Sequence, residues 1–171
     1  MTAHAFIEFL KYKWIAKNRH GVHSPFVYAF VEDVLEDRNH LLGVPHGIAI
    51  NSFKDTRYNR LLSRIITYYN YKKIQSIPVT SNEPSPGQCD VILITENEPM
   101  EWPDLLDQYT SLIGNNSVVI VSGIHKTTGH TTGWETLCGR PKVKLCIDLY
   151  GVGLLFFKEE IRERQRFVLK Y

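Results

Sequence analysis

Cysteine is scarce: Cys89, Cys138 and Cys146 are three residues, an odd number with no C-x-x-C spacing. That argues against a disulfide framework or a cysteine-built zinc site, and fits reduced, partly buried thiols of a cytoplasmic protein. Charge of one sign is also lacking. Twenty basic residues face 18 acidic ones, a formal net charge of +2. A dedicated nucleic-acid binder carries a strong basic excess, so nucleic acid is not the expected partner, although a local basic patch stays open. No apolar run approaches the ~18–20 residues of a transmembrane helix, so no membrane span is expected. The segment MTAHAFIEFLKYKW lacks a basic stretch followed by an apolar one, so a signal peptide is not expected either. Internal repeats and low-complexity segments are absent from the sequence.

What is present is an ordinary globular mixture. Of 171 residues, 43% are hydrophobic and 22% charged, which argues against wholesale disorder. That length suits one domain over residues 1–171. It buries about 70% of the surface the unfolded chain exposes, so folding needs no metal or disulfide.

Phe6 to Trp14 reads as an amphipathic helix, its apolar residues spaced by three and four. Lys17 to Gly21 breaks it. Ser24-Pro25 opens a second helix, serine as N-cap and proline in first position, with Phe26, Val27, Phe30, Val31, Val34 and Leu35 as its stripe. Arg38 to Lys54, with Gly43, Pro45 and Gly47, reads as irregular. A third helix runs from an Asp55 N-cap to Tyr69 on Leu61, Leu62, Ile65 and Ile66, and Asn70 stops it.

Beyond residue 70 the period changes. Lys73–Ile77 is a short strand. Pro78 to Gln88 holds Pro78, Pro84, Pro86 and Gly87 and cannot be helical. Val91–Ile94 and Ser117–Val121 are continuous β-branched runs, suited to strands buried on both faces. A helix from Pro103 to Leu112 lies between them, closed by Gly114-Asn115-Asn116. A short helix is expected over Thr131 to Cys138, around Trp134. Lys142–Asp148 and Leu154–Lys158 read as strands joined through Tyr150-Gly151-Val152-Gly153, whose glycines shape the hairpin. Phe167–Leu169 is a last strand or a docked tail. The alternation predicts an α/β fold: a mostly parallel sheet over 71–171, preceded by an N-terminal helical cap over 1–70.

Three stretches resemble a known family. The first is His20-Gly21-Val22-His23-Ser24-Pro25-Phe26-Val27-Tyr28, similar to an HSPFVY-type N-terminal signature. The second is Arg57-Tyr58-Asn59-Arg60-Leu61-Leu62 through Tyr69 to Ile74, similar to a helix leading into a first sheet strand. The third is Val143–Lys158 with the Phe167–Tyr171 tail, similar to an IDL-x-x-x-GL-x-FF ending and an FxLxY-type terminus. The family is that of small bacterial class I S-adenosylmethionine-dependent methyltransferases. The resemblance implies a Rossmann-like sheet with an antiparallel C-terminal hairpin. Ile74–Ile77 would be its first strand, Val91–Ile94 its fourth and Ser117–Val121 its fifth, with Val143–Asp148 and Leu154–Lys158 as the last two.

The sequence departs from that family where the cofactor would sit. A class I methyltransferase carries a glycine-rich turn after its first strand, so that backbone can approach the ligand. Here the first strand runs into Pro78-Val79-Thr80-Ser81, with no glycine before Gly87, and proline removes a backbone donor. Pro78, Thr80 and Ser81 are thus degenerate cofactor positions. Residues 78 to 90, 13 in number, are all that separate Ile77 from Val91. The family would need a helix, a second strand, another helix and a third strand there, whereas one βαβ unit takes roughly 30 residues. The missing part would carry the ribose-binding acid. The fourth and fifth strands are followed by Thr95-Glu96-Asn97-Glu98 and Ser122-Gly123-Ile124-His125, where the family more often has an aspartate-rich turn. The expectation is a truncated Rossmann-like methyltransferase-type sheet without S-adenosylmethionine.

Other residues carry weaker signals. His20 and His23 stand three apart and begin a metal site, but four ligands are needed and no partner lies at suitable spacing. His125 and His130 follow the fifth strand, where parallel sheets bind ligands and where histidine serves as a general base. The competing reading is a polar loop made mobile by Gly129 and Gly133. Glu96 and Glu98 form either an acid–base pair or a solvated turn before Pro99. Trp102 and Trp134 either cover a ligand or pack the core. Lys11, Lys13, Lys17 and Arg19, interleaved with Tyr12 and Trp14 and offset by Glu8, form a modest basic patch suited to RNA or an acidic membrane surface. The competing reading is a solvated helix face.

The expected function is that of a methyltransferase-like protein without catalysis, acting through protein interaction. With two strands missing, Ile74–Ile77 becomes a sheet edge, either covered by the proline-rich loop or paired in a homodimer. The alternative is an active methyltransferase with an altered pocket. A third reading is a nucleic-acid accessory protein using the basic N-terminal helix.

Overall fold

The computed structural model describes residues 2–36, 56–77, 87–95 and 98–171. The irregular segment expected over Arg38–Lys54, the Asp55 cap, the Pro78–Pro86 loop with Pro78, Thr80 and Ser81, and Glu96 lie outside the described residues.

Helix α1 spans Ala3–Ile15. Its N-cap is Thr2, whose hydroxyl accepts from the Ala5 amide at 3.2 Å. Helix α2, Pro25–Phe30, starts on proline as expected, although Ser24 makes no side-chain cap bond. It passes into a π-helical turn, Val31–Glu36, and the apolar stripe continues through Val31, Val34 and Leu35. Helix α3 spans Thr56–Tyr69. Asn70 ends it in the left-handed region (φ 55°), and the Tyr71 amide reaches back to the Ile66 carbonyl at 3.0 Å.

The strands are β1 Ile74–Ile77, β2 Cys89–Ile94, β3 Ile113–Ser122, β4 Leu145–Asp148, β5 Val152–Phe156 and β6 Gln165–Val168. They form one six-stranded sheet in the order β1-β2-β3-β5-β4-β6. β1, β2 and β3 run parallel, as do β4 and β6, and β5 lies antiparallel between β3 and β4. The mostly parallel sheet and its antiparallel β4–β5 hairpin agree with the sequence reading. The tail is a strand, β6, parallel to β4.

Alternation along the strands makes two cores. On one face Val91, Leu93, Val118, Ile120, Ile147 and Phe156 meet α2, the π turn and α3. On the other, Ile92, Ile94, Val119, Val121 and Leu155 meet helix α4, Trp102–Gln108, and helix α5, Thr128–Cys138. The helices of the N-terminal segment therefore divide. α2 and α3 form a layer on the sheet, while α1 crosses its carboxyl end.

Three local expectations change. Gly114-Asn115-Asn116 does not close α4. That helix stops at Gln108, and the glycine and asparagines lie inside β3 as an irregularity: Cys89 pairs with Ile113 but Val91 with Val118. The Ser117 hydroxyl accepts from the Gly114 amide at 2.8 Å and closes the bulge. Helix α5 begins before Thr131, because Thr127 caps it through the His130 amide. Gly129 and Gly133 are therefore helical, and a Cβ on Gly133 would stand 2.6 Å from the Pro99 carbonyl oxygen. In the β4–β5 turn the positive φ falls on Tyr150 (69°), not on a glycine. Gly151 and Gly153 are needed for close approach: a Cβ there would lie 2.3 Å from the Tyr58 hydroxyl and 2.5 Å from the Trp134 ring.

Arg166 of β6 reaches Glu135 of α5 with both terminal guanidinium nitrogens, fixing the last strand to the helix layer. That hydrogen-bonded arginine holds the Glu135 carboxyl below its ordinary value of 4.5. A carboxyl lowered in the folded state stabilises above 4.5, and the contribution disappears as pH falls through the folded value. Glu135→Gln should therefore be less stable than the native chain near about pH 6, and the gap should narrow as the pH is lowered through the acid range below 4.5, as read by urea unfolding. Gly153→Ala should cost about 1–3 kcal/mol in the same measurement, since the Trp134 ring is enclosed and cannot retreat.

Candidate functional site

In parallel sheets ligands gather beyond the carboxyl ends of the strands. At that end of β3 and β4 lies a buried pair. Asp148, the last residue of β4, is 4% exposed, and His125, in the turn after β3, is 7% exposed. His125 Nε2 and Asp148 Oδ2 are 2.7 Å apart. A carboxylate only accepts, which puts the ring proton on Nε2. The other carboxylate oxygen accepts from the Tyr150 amide at 2.8 Å.

From His125 the network runs outward. Nδ1 lies 3.2 Å from the Thr131 hydroxyl, in the second turn of α5. That hydroxyl also contacts His4 Nε2 at 3.0 Å, and His4 Nδ1 lies 3.3 Å from the Thr128 hydroxyl. Carboxylate, imidazole and hydroxyl thus stand in the order of a nucleophile triad. Aromatic side chains and helix α1 enclose it. The Tyr150 ring stacks on His125 at 5.8 Å, and Tyr150 donates its hydroxyl to the Ala5 carbonyl at 2.6 Å. Phe9 and Tyr12 pack on the Tyr150 ring at 5.3 and 5.5 Å. Thr2 donates to the Lys126 carbonyl at 3.1 Å. Helix α1 thereby lies over the place where a substrate would approach. Two clefts, of about 980 and 660 Å³, lie elsewhere, and none of His125, Thr131 and Asp148 lines either.

The same helix is tied to the last strand. Tyr12 donates to the Leu169 carbonyl at 2.8 Å, its hydroxyl accepts from the Tyr171 amide at 3.0 Å, and Lys17 bridges to Leu169. Burial raises the Tyr12 phenol above its ordinary value.

The residues singled out from sequence are not brought together. His130 lies five residues after His125 and works as part of the α5 cap. Its Nδ1 lies 2.7 Å from the Thr127 hydroxyl and its ring meets Trp102 at 5.4 Å. Burial, with Lys126 nearby, pushes its pKa down. His20 and His23 are exposed, and no group of three metal-ligating side chains occurs among the described residues. Glu98 is exposed. Trp102 and Trp134 are core residues, 1% and 0% exposed. Of the basic patch, Lys11 pairs with Glu8 at 2.6 Å, and Arg19 lies 3.6 Å from Glu32 and 3.5 Å from Glu36. Sequence reasoning missed His4, Thr131, Asp148 and Tyr150. One signal was present: Asp148 closes the apolar run Leu145-Cys146-Ile147, and an acid at the end of a buried strand requires a partner.

No family model, curated protein or solved structure matches the chain.

Removing His125 as His125→Ala should cost about 3–5 kcal/mol, because the Asp148 carboxylate is left buried without its partner. His125→Ala combined with Asp148→Asn should cost less than the two single changes summed, in a denaturation cycle.

Proposed function

We propose that the chain is a methyltransferase-like protein that has lost S-adenosylmethionine-dependent catalysis and acts through interaction. One observation carries the reading. β1 ends at Ile77 and β2, its direct parallel neighbour, begins at Cys89, so only residues 78–88 connect them. In the family that the sequence resembles, a second and a third strand with their helices would follow β1. Eleven residues cannot hold those elements. The strand carrying the acid for the ribose hydroxyls is then missing, while parallel β1, β2 and β3 and the antiparallel hairpin retain the arrangement the resemblance implies.

The covered carboxyl end supports the same reading. α1 fills the approach to His125 and Thr131 with its own contacts. In this reading His125, Thr131 and Asp148 fasten α1, α5 and the hairpin together. In this reading the β1 edge pairs with a second copy of the chain. Sedimentation velocity would then give a dimer, and a monomer at every concentration would remove that part.

The cofactor claim is tested by thermal unfolding and calorimetry of the full chain with S-adenosylmethionine. A ligand of the native state must raise its stability. The expected result is no shift and no heat at about 1 mM, a concentration at which micromolar binding would add roughly 4 kcal/mol. A clear upward shift would instead establish an altered but working pocket.

A further inference from the structure

Helix α1 has apolar residues on two sides. Ala5 and Tyr12 point inward and are buried. Phe6, Ile7, Leu10 and Trp14 point outward and stay 48%, 52%, 52% and 91% exposed. At about 100° per residue these four share an arc roughly 100° wide, the width of a stripe that normally meets a core. Lys13 flanks this stripe on one side, and Lys11, paired with Glu8, stands on the other.

Beside the Lys13 flank opens the cleft of about 980 Å³. Lys13, Arg57, Arg60, Arg64 and Lys170 line it, against one side-chain carboxylate among the described residues, Glu36. Glu36 already lies 3.5 Å from Arg19. Arg64 donates to the Val34 and Leu35 carbonyls at 3.3 and 3.2 Å, and its Nε is buried without a hydrogen-bond partner. Arg57 packs over the Tyr171 ring at 4.5 Å. An apolar stripe therefore borders a concentration of positive charge, in a chain whose overall net charge is only +2.

We infer that α1 and this cleft form a docking surface for an anionic phospholipid membrane. The stripe enters the boundary between headgroups and acyl chains, Trp14 rests at interface depth, and the cleft receives headgroup phosphates. Charge complementarity selects this occupant. Ile7 and Leu10, standing between Phe6 and Trp14, suit an acyl-chain boundary, whereas stacked bases would use only the two aromatic rings. A second copy docked on the stripe would bring two lysine-flanked faces together. The inference gives the interaction reading a partner class without depending on loss of the cofactor, since its test contains none.

The test is co-sedimentation of the full chain with phosphatidylcholine vesicles, with and without about 30% phosphatidylserine. Tryptophan emission is followed in parallel; Trp102 and Trp134 are already buried, so a blue shift reports Trp14. Pelleting and the blue shift are expected with anionic vesicles only, weakening as salt rises. Leu10→Ser with Trp14→Ser, and separately Arg60→Glu with Lys170→Glu, should each weaken pelleting by about tenfold. All four residues are exposed, so the fold should survive, and circular dichroism checks this. Absence of pelleting with anionic vesicles overturns the inference, whether or not a single-stranded RNA binds. So does pelleting that both variants leave unchanged, or a blue shift without vesicles accompanied by a dimer mass.

Discussion

The hydrogen bond between buried His125 and Asp148 is the constraint on which the arrangement depends. A buried carboxylate at the end of β4 must be satisfied, and two groups do it: the His125 ring at 2.7 Å and the Tyr150 amide at 2.8 Å. The first fixes the turn after β3 and, through Thr131, the start of α5. The second fixes the left-handed Tyr150 and so the β4–β5 hairpin. The Tyr150 ring then offers Phe9 and Tyr12 their aromatic contacts, and its hydroxyl meets the Ala5 carbonyl. Four elements converge on one carboxylate.

An α/β sheet ordinarily leaves its carboxyl end for a ligand. Here the inner face of α1 covers the ends of β3 and β4, and the outer face carries the exposed Phe6, Ile7, Leu10 and Trp14. The helix that closes one surface presents another. Closure of the carboxyl end and exposure of an apolar helix face are two results of one placement.

Much of the fold was legible because the strands are buried on both faces. Val91–Ile94 and Ser117–Val121 needed no context to be read as strands. The hairpin was also legible, but for a partly mistaken reason. Its glycines make room for Tyr58 and Trp134, and the unusual backbone belongs to Tyr150. Such close approaches depend on residues far away in the chain. The site was less legible for the same reason: His4 and Thr131 meet across 127 positions. Arg57, Arg60 and Arg64 do stand at helical spacing, yet Lys13 and Lys170 join them only through the fold.

The central claim is that α1 is a fixed cover over the carboxyl end. Native-state amide hydrogen exchange measures this directly. If the account holds, the amides of residues 7–15 exchange only through the global unfolding that also exposes β3 and β4, and Tyr150→Ala lowers the opening energy of α1 selectively. Fast exchange of α1 beside a fully protected sheet, unchanged in Tyr150→Ala, would contradict it.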